Sequence, residues 1–496
     1  MTSGESHGTG LERFPSNIAG LDTVLDGGFF RSGVYIVQGL PGSGKTIFAN
    51  QICFGHVAQG GRALYVTLLA ESHARMLQHL RNMSFFDEAA IPERISYISA
   101  FSELETSGLK GLVTILRKEM RARKATLLVL DGLLAASETA ETSRELKKFI
   151  HEVQTNATFH GCTVFLLTSG ASNGINAERT MVDGLIELED RLIDLRSQRS
   201  LQATKFRGSP SLRGKHLFEI SDEGLRVYPR IEALYGTPAA IPYLEHGVSS
   251  GIDSLDAMMA TRGFPTGSAT VVVGSTGTGK TTLCLNFLSR CNKKEPGLFF
   301  GFFETPERLR ASGRAFGLAI EALERRGALT LSWRAQGEHA MDGLAHQLLE
   351  DVNRLGVKRL VIDGLAGFFE ATPYPERIGR FFACLTNELR RRGVTILMTL
   401  ETRDIVGTVV PTPYGVSALV DNLVFLRFVE ARGEIRRLLS IIKLRSASFD
   451  HSLREFLIDS NGARVGGRMA AGGDIIPSAE PLGAAQAAPR GKKRRK

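Results

Sequence analysis

Apolar residues in this chain gather into short unbroken runs, and polar stretches of helical length separate them. In the N-terminal half the runs are residues 34–37, 63–69, 126–130 and 163–168; in the C-terminal half they are 270–273, 298–303, 359–362 and 395–399. Runs rich in Val, Ile and Leu without polar alternation predict strands buried on both faces, and the intervening helices predict a parallel sheet covered on each side. Each half then changes to paired strands, 191–195 with 201–206 and 423–429 with 437–443, which predicts antiparallel strands added at one sheet edge.

The two halves are copies. Gly39 recurs at Gly274, Asp131 at Asp363 and Asp22 at Asp253, displacements of 235, 232 and 231 residues, so one domain is repeated in tandem with small loop insertions. The expected division is an N-terminal tail over 1–13, a first domain over 14–228, a linker over 229–247 with extended Pro positions, a second domain over 248–462 and a tail over 463–496. The last segment is rich in Gly, Ala and Pro and cannot bury enough surface to fold alone, so it is expected to be a disordered basic extension.

Each copy carries a G-x-x-x-x-G-K-[ST] loop between a buried strand and a helix. The first is Gly39, Leu40, Pro41, Gly42, Ser43, Gly44, Lys45 and Thr46; the second is Gly274, Ser275, Thr276, Gly277, Thr278, Gly279, Lys280 and Thr281. Glycines let backbone N–H groups turn inward around a β-phosphate, the lysine reaches the β- and γ-phosphates, and the Thr46 or Thr281 hydroxyl is placed to ligate Mg²⁺. Asp131 and Asp363 end apolar strands downstream, where a carboxylate holds the same Mg²⁺. ATP and Mg²⁺ are the expected cofactors.

Hydrolysis needs a group that orients or deprotonates water, and a glutamate after the next strand is the natural candidate. Glu304 stands there in the second copy; in the first, Glu71 is displaced by one apparent extra residue. Either glutamate has a second reading as a carboxylate at a helix start. Thr168 and Thr399 end the following strands, as γ-phosphate sensors or as ordinary strand threonines. Lys205 with Arg207, and Lys443 with Arg445, recur at matching places with both cations on one side of a strand. They are expected to reach a phosphate bound to a neighbouring subunit; a solvated basic edge is the alternative.

Composition adds limits. The 496 residues exceed one hydrophobic core, and no window approaches a membrane span or a signal-peptide core, so a cytoplasmic protein without membrane partners is expected. Five scattered cysteines read as core thiols. The formal charge is +9, but eight basic residues from Arg464 onward face only Asp474 and Glu480. Nucleic acid is therefore expected to interact through the basic tail alone, if at all.

With these residues in hand, the chain resembles the KaiC family of tandem RecA-like ATPases. The resemblance rests on the double P-loop, the strand-terminal aspartates, the two K-x-R segments, the stretch from Phe428 to Glu434 leading into Lys443, Leu444 and Arg445, and the run Arg454 to Ile458. It implies a homo-hexameric double ring with ATP between subunits, hydrolysis in the first ring and serine/threonine autokinase activity in the second. The family's two adjacent glutamates are reduced to Phe303 and Glu304 in the second copy and to Leu69, Ala70 and Glu71 in the first, which implies slow or asymmetric hydrolysis. Its Ser-Thr phosphorylation pair falls on Ser417 and Ala418, leaving Ser417 as the single phosphorylation candidate.

The leading expectation is an oligomeric, Mg-dependent ATPase that acts as a nucleotide-driven signalling switch. The alternatives are a RecA-type DNA-binding ATPase, motivated by Lys492 to Lys496, and a nucleotide-binding scaffold with little turnover, motivated by the missing glutamates. Against the DNA-binding reading, the body lacks a basic loop interleaved with aromatics.

Overall fold

A computed structural model describes residues 12–69, 73–169, 180–193, 195–236, 246–335, 337, 339–402, 420–431, 433–445 and 447–469. The chain divides into two compact units, Met1–Gly236 and Thr237–Lys496.

In the first unit the central strand β1 (Val34–Gln38) has all five residues buried, because helices cover both sheet faces. Five further strands run parallel: β2 (Ala63–Thr67), β3 (Ile95–Ser99), β4 (Leu127–Asp131), β5 (Thr163–Thr168) and β6 (Gly184–Ile193). Then β7 (Arg196–Phe206), β8 (His216–Ser221) and β9 (Gly224–Tyr228) continue the sheet antiparallel, giving the order β9-β8-β7-β6-β1-β5-β4-β2-β3. Helix α1 (Lys45–Ala58) packs on one face, and α2 (Phe101–Arg123) and α3 (Ser143–His160) on the other.

The second unit repeats the plan with β10 (Ala269–Gly274) at its centre. Its other strands are β11 (Gly297–Gly301), β12 (Leu329–Trp333), β13 (Arg359–Asp363), β14 (Thr395–Glu401), β15 (Asn422–Ala431), β16 (Glu434–Leu444), β17 (Arg454–Asp459) and β18 (Gly462–Arg468). The sheet order is β12-β11-β13-β14-β10-β15-β16-β17-β18, with β15 still parallel to β10 and the last three strands antiparallel. Helix α4 (Lys280–Ser289) follows the second loop.

Several boundaries differ from the sequence reading. Strand β18 pairs with β17, so residues 463–468 belong to the second sheet and not to a tail. At the linker, Ile231 is fully buried in the first unit, and Gly247 and Val248 pair with Pro265 and Phe264, so both ends of 229–247 are built into the units. The paired edge strands are longer than the expected segments, most of all in the first unit, where residues 184–187 of β6 are core strand beside β1. Strands β2 and β11 stop at Thr67 and Gly301, two residues earlier than their apolar runs. Apolarity continues past Gly301 because Phe302 leaves the sheet and buries its ring between Phe300 and Phe368, at centroid distances of 5.7 and 5.5 Å.

One buried side chain makes the first unit sensitive to pH. His56 on α1 is 5% exposed and shares a 2.7 Å hydrogen bond with the Thr126 hydroxyl; burial, helped by Arg31, pushes its pKa down from 6.5 to about 4. The unfolded chain takes up this proton below pH 6.5 and the folded chain refuses it until about pH 4, so stability falls as pH drops through that window. The loss at pH 5 is on the order of 2 kcal/mol. Urea unfolding of the first unit at pH 7 and pH 5 should show it, and His56→Gln should flatten the difference.

Candidate functional site

The loops follow the central strands and open directly into helices. Gly44 and Gly279, immediately before α1 and α4, sit at φ of 97° and 100°, where a side chain is strained. A Cβ on Gly279 would also come within 2.5 Å of Ile458 Cδ1. With the loop closed this way, each lysine folds back over it. Lys45 Nζ donates to the Gly39 and Leu40 carbonyls at 2.7 and 3.0 Å, and Lys280 Nζ to those of Gly274 and Ser275 at 2.8 Å each. Burial lowers the pKa of both ammonium groups, and Asp131 or, for Lys280, Glu401 and Asp363 counter it.

In the first unit a cavity of about 450 Å³ is lined by Pro41, Gly42, Lys45, Thr46, His73 and Asp131, among others. Asp131 accepts a hydrogen bond from the Tyr65 hydroxyl at 2.7 Å. In the second unit Asp363 accepts from the Thr281 hydroxyl at 3.3 Å and from Thr399 at 2.6 Å. Burial raises the Asp363 pKa, and these two hydroxyls with Lys280 work against the rise. A threonine hydroxyl and a carboxylate converging beside a phosphate loop are the hard-oxygen donor set that Mg²⁺ takes, completed in P-loop proteins by water and substrate oxygens. No cluster of three His, Cys, Asp or Glu side chains occurs among the described residues, so any metal there would depend on those additional ligands.

Thr168 and Thr399 are not counterparts. Thr168 lies opposite Gln38, the residue before Gly39, whereas Thr399 lies opposite Val272, two before Gly274. A one-residue shift puts them on opposite sheet faces. Thr399 is committed to Asp363 and also accepts from the Gly364 N–H at 2.8 Å. Glu304 lies in a bend three residues beyond β11, close enough to Asp363 to add to its rise in pKa. Glu71 and Ser417 lie outside the described residues.

The K-x-R cations sit at the far end of each sheet from their own loop. Phe206 pairs with Gly184, which pairs with Tyr35; Lys443 pairs with Leu423, which pairs with Val271. Lys205 and Arg207 both donate to the Thr180 carbonyl at 2.9 Å, Lys443 donates to the Val420 carbonyl at 2.6 Å, and Arg445 is 3.9 Å from Asp421.

Three contributors escaped the sequence reading. Glu401 accepts from the Thr276 hydroxyl at 2.8 Å, because β14 carries it opposite Gly274. Arg437 Nε donates to the Gly277 carbonyl at 3.1 Å, with its guanidinium 5.7 Å from the Phe428 ring centroid. Its first-unit counterpart Arg199 instead pairs with Asp190 at 3.1 Å, in the place that Phe428 holds in the second unit. Trp333, at the end of β12, donates from Nε1 to the Phe302 carbonyl at 3.2 Å. Only the strand-terminal position of Glu401 left a trace in the sequence; the other two depend on cross-strand register.

Two P-loops, each between the central strand and a helix of a largely parallel sheet with antiparallel edge strands, define a tandem RecA-like ATPase. A family model described as "ATPase: KaiC" matches residues 14–232 and again 248–469, and the chain belongs to that family. It is 24% identical over 470 residues to the circadian clock oscillator protein KaiC of Picosynechococcus sp., covering 92% of this chain and 90% of the relative. The KaiC of Thermostichus vulcanus is 24% identical over 468 residues (92% and 89%), and the circadian clock protein KaiC3 of a Synechocystis strain 24% over 477 (92% of each). No helix among the described residues is long and apolar enough to cross a membrane.

Proposed function

We propose that this KaiC-type ATPase is an Mg-dependent, homo-hexameric enzyme that binds ATP between subunits and works as a nucleotide-driven switch. The observation that carries the reading is the placement of the cation pairs, the same in both units. Tyr35 and Gly39 are separated by about 13 Å of strand rise, and β7 lies two inter-strand spacings to the side. Lys205 and Arg207 are therefore remote from their own loop, as Lys443 and Arg445 are from theirs, and a phosphate held by another copy of the domain is the target they suit.

At the second site Lys280 releases its loop carbonyls to bind the β- and γ-phosphates. Thr281 and Asp363 would hold Mg²⁺, which neutralises charge on the phosphate oxygens when bound. Glu304 accepts a proton from water as the water oxygen attacks the γ-phosphorus; the bond from that phosphorus to the bridging oxygen breaks, leaving ADP and phosphate. At the first site Lys45, Thr46 and Asp131 take the corresponding roles, and Glu71 is the candidate proton acceptor. Ser417 is the candidate acceptor for autophosphorylation, which replaces water by its hydroxyl.

Light scattering after size exclusion should show a monomer or small assembly without nucleotide and a hexamer with ATP and Mg²⁺. A monomer with both present would count against the proposal. Mass spectrometry of the same hexamers after incubation with γ-labelled ATP should find phosphate released to solvent and a phosphate on Ser417; an unmodified chain would remove the autokinase part alone.

A further inference from the structure

We infer that Trp333 is the positioning residue that aims Glu304 at the second nucleotide site, an inference that rests on the ATPase reading of that site. The carboxylate of Glu304 has no hydrogen-bond or ion-pair partner among the described residues, so its direction is inherited from the bend that carries it. That bend, Phe302 to Glu304, lies between the end of β11 and helix α5 (Pro306–Ala315), outside both hydrogen-bonded ladders.

Three side-chain contacts hold it. The Phe302 ring fills the space over Gly367, where a Cβ would stand 2.4 Å from the ring, and its own position is fixed by Phe300 and Phe368. The Phe303 ring lies over Gly364, the residue after Asp363; a Cβ there would come within 2.3 Å of Phe303 Cε2. These two contacts are apolar and set the depth of the bend without fixing its rotation. The third is directional: Trp333, opposite Gly301 in the sheet, donates its indole N–H to the Phe302 carbonyl, two residues before Glu304. The Phe302 N–H reaches the Asp363 carbonyl only at 3.4 Å, whereas the corresponding Leu68 N–H in the first unit reaches Asp131 at 2.8 Å. The second unit therefore has a weaker backbone tie at this point and an indole tie in its place; in the first unit Ser99 occupies the register position of Trp333, and the bend is held instead by the Leu69 N–H donating to the Thr67 hydroxyl at 3.1 Å.

An indole that is 41% exposed is poorly explained as core packing, since a smaller apolar residue would cover as much without exposing a ring. A fixed N–H donor explains it. Displacement of a reacting group by about 1 Å costs on the order of 10²-fold in rate, so a loosened bend should be visible in turnover.

The test uses the full chain and a double-mutant cycle with Glu304→Gln, reading ATP turnover and ATP affinity. Trp333→Phe, which removes the N–H, should lower the Glu304-dependent part of turnover roughly tenfold and leave ATP affinity within about twofold. In the Glu304→Gln background the same change should have no further effect, because a residue acting through Glu304 has nothing left to aim. Trp333→His, which keeps a ring N–H, should recover part of the rate. As the only tryptophan in the chain, Trp333 should also change its emission when ATP and Mg²⁺ bind, and Lys280→Ala should abolish the change. Equal turnover in Trp333→Phe and wild type overturns the inference and leaves the ATPase reading intact. An equal loss in both backgrounds also overturns it, assigning the indole a purely structural role. If Glu304→Gln itself leaves turnover unchanged, the assignment of Glu304 fails and the inference fails with it.

Discussion

Lys280→Ala should remove second-site turnover by at least about 10²-fold, comparable with the loss of a preorganised donor from a transition-state oxyanion site. The Lys280 ammonium is already at its station, desolvated and held by two loop carbonyls. Exchanging those carbonyls for phosphate oxygens replaces neutral acceptors with charged ones, which adds charge–charge attraction to bonds whose donor is already ionised. Alanine loses both the charge and the donor while leaving Gly277 and Gly279, which set the loop geometry, in place. ATP turnover and nucleotide binding measured on the full chain check this. Binding stoichiometry should fall by the second site only, with the first still served by Lys45. Unaltered stoichiometry and rate would mean that the second loop does not hold nucleotide.

The second large effect concerns where Arg445 acts. Arg445→Ala should lower second-site turnover by about 10³-fold if the guanidinium stabilises a transferring phosphoryl group as an arginine supplied in trans does. Its side chain is about half exposed and its guanidinium stands 3.9 Å from Asp421, just past the end of β16 and outside the buried core. Mixing decides between a trans and a cis role. In a ring assembled from equal amounts of Lys280→Ala and Arg445→Ala chains, one interface type combines an intact Lys280 with an intact Arg445 from the next chain. Turnover of the mixture should therefore rise above that of either variant, toward about a quarter of wild type for random assembly with head-to-tail contacts. No gain on mixing, with mixed rings shown by mass spectrometry, would place both residues on the same nucleotide within one chain and remove the argument for shared sites.

Legibility varied with the distance over which each feature is specified. The P-loops, Asp131, Asp363 and the duplication could be read directly, because a phosphate loop and the strand that feeds it are local in sequence. The K-x-R pairs were recognised as recurrent, but their remoteness from the local loop emerged from the pairing of β7 with β6 and of β16 with β15. Thr168 and Thr399 looked equivalent at strand ends, and a single residue of register put them on opposite faces. The run through Phe303 looked like continued strand because apolar residues serve equally well in a sheet and in a bend that buries a phenyl ring.

By itself, then, the sequence determined that two copies of an α/β phosphate-loop domain lie in tandem, with Lys45, Thr46, Asp131 and their repeats Lys280, Thr281 and Asp363 beside each loop. Hydrophobic period and glycine position are enough for that, since both act over a few residues. The tertiary structure alone decided which side chains meet across strands: Thr399 on Asp363, Glu401 on Thr276, Arg437 on Gly277 but Arg199 on Asp190, and Trp333 on the bend bearing Glu304. These contacts depend on register between strands far apart in the chain, and a shift of one residue turns each side chain to the other face of the sheet.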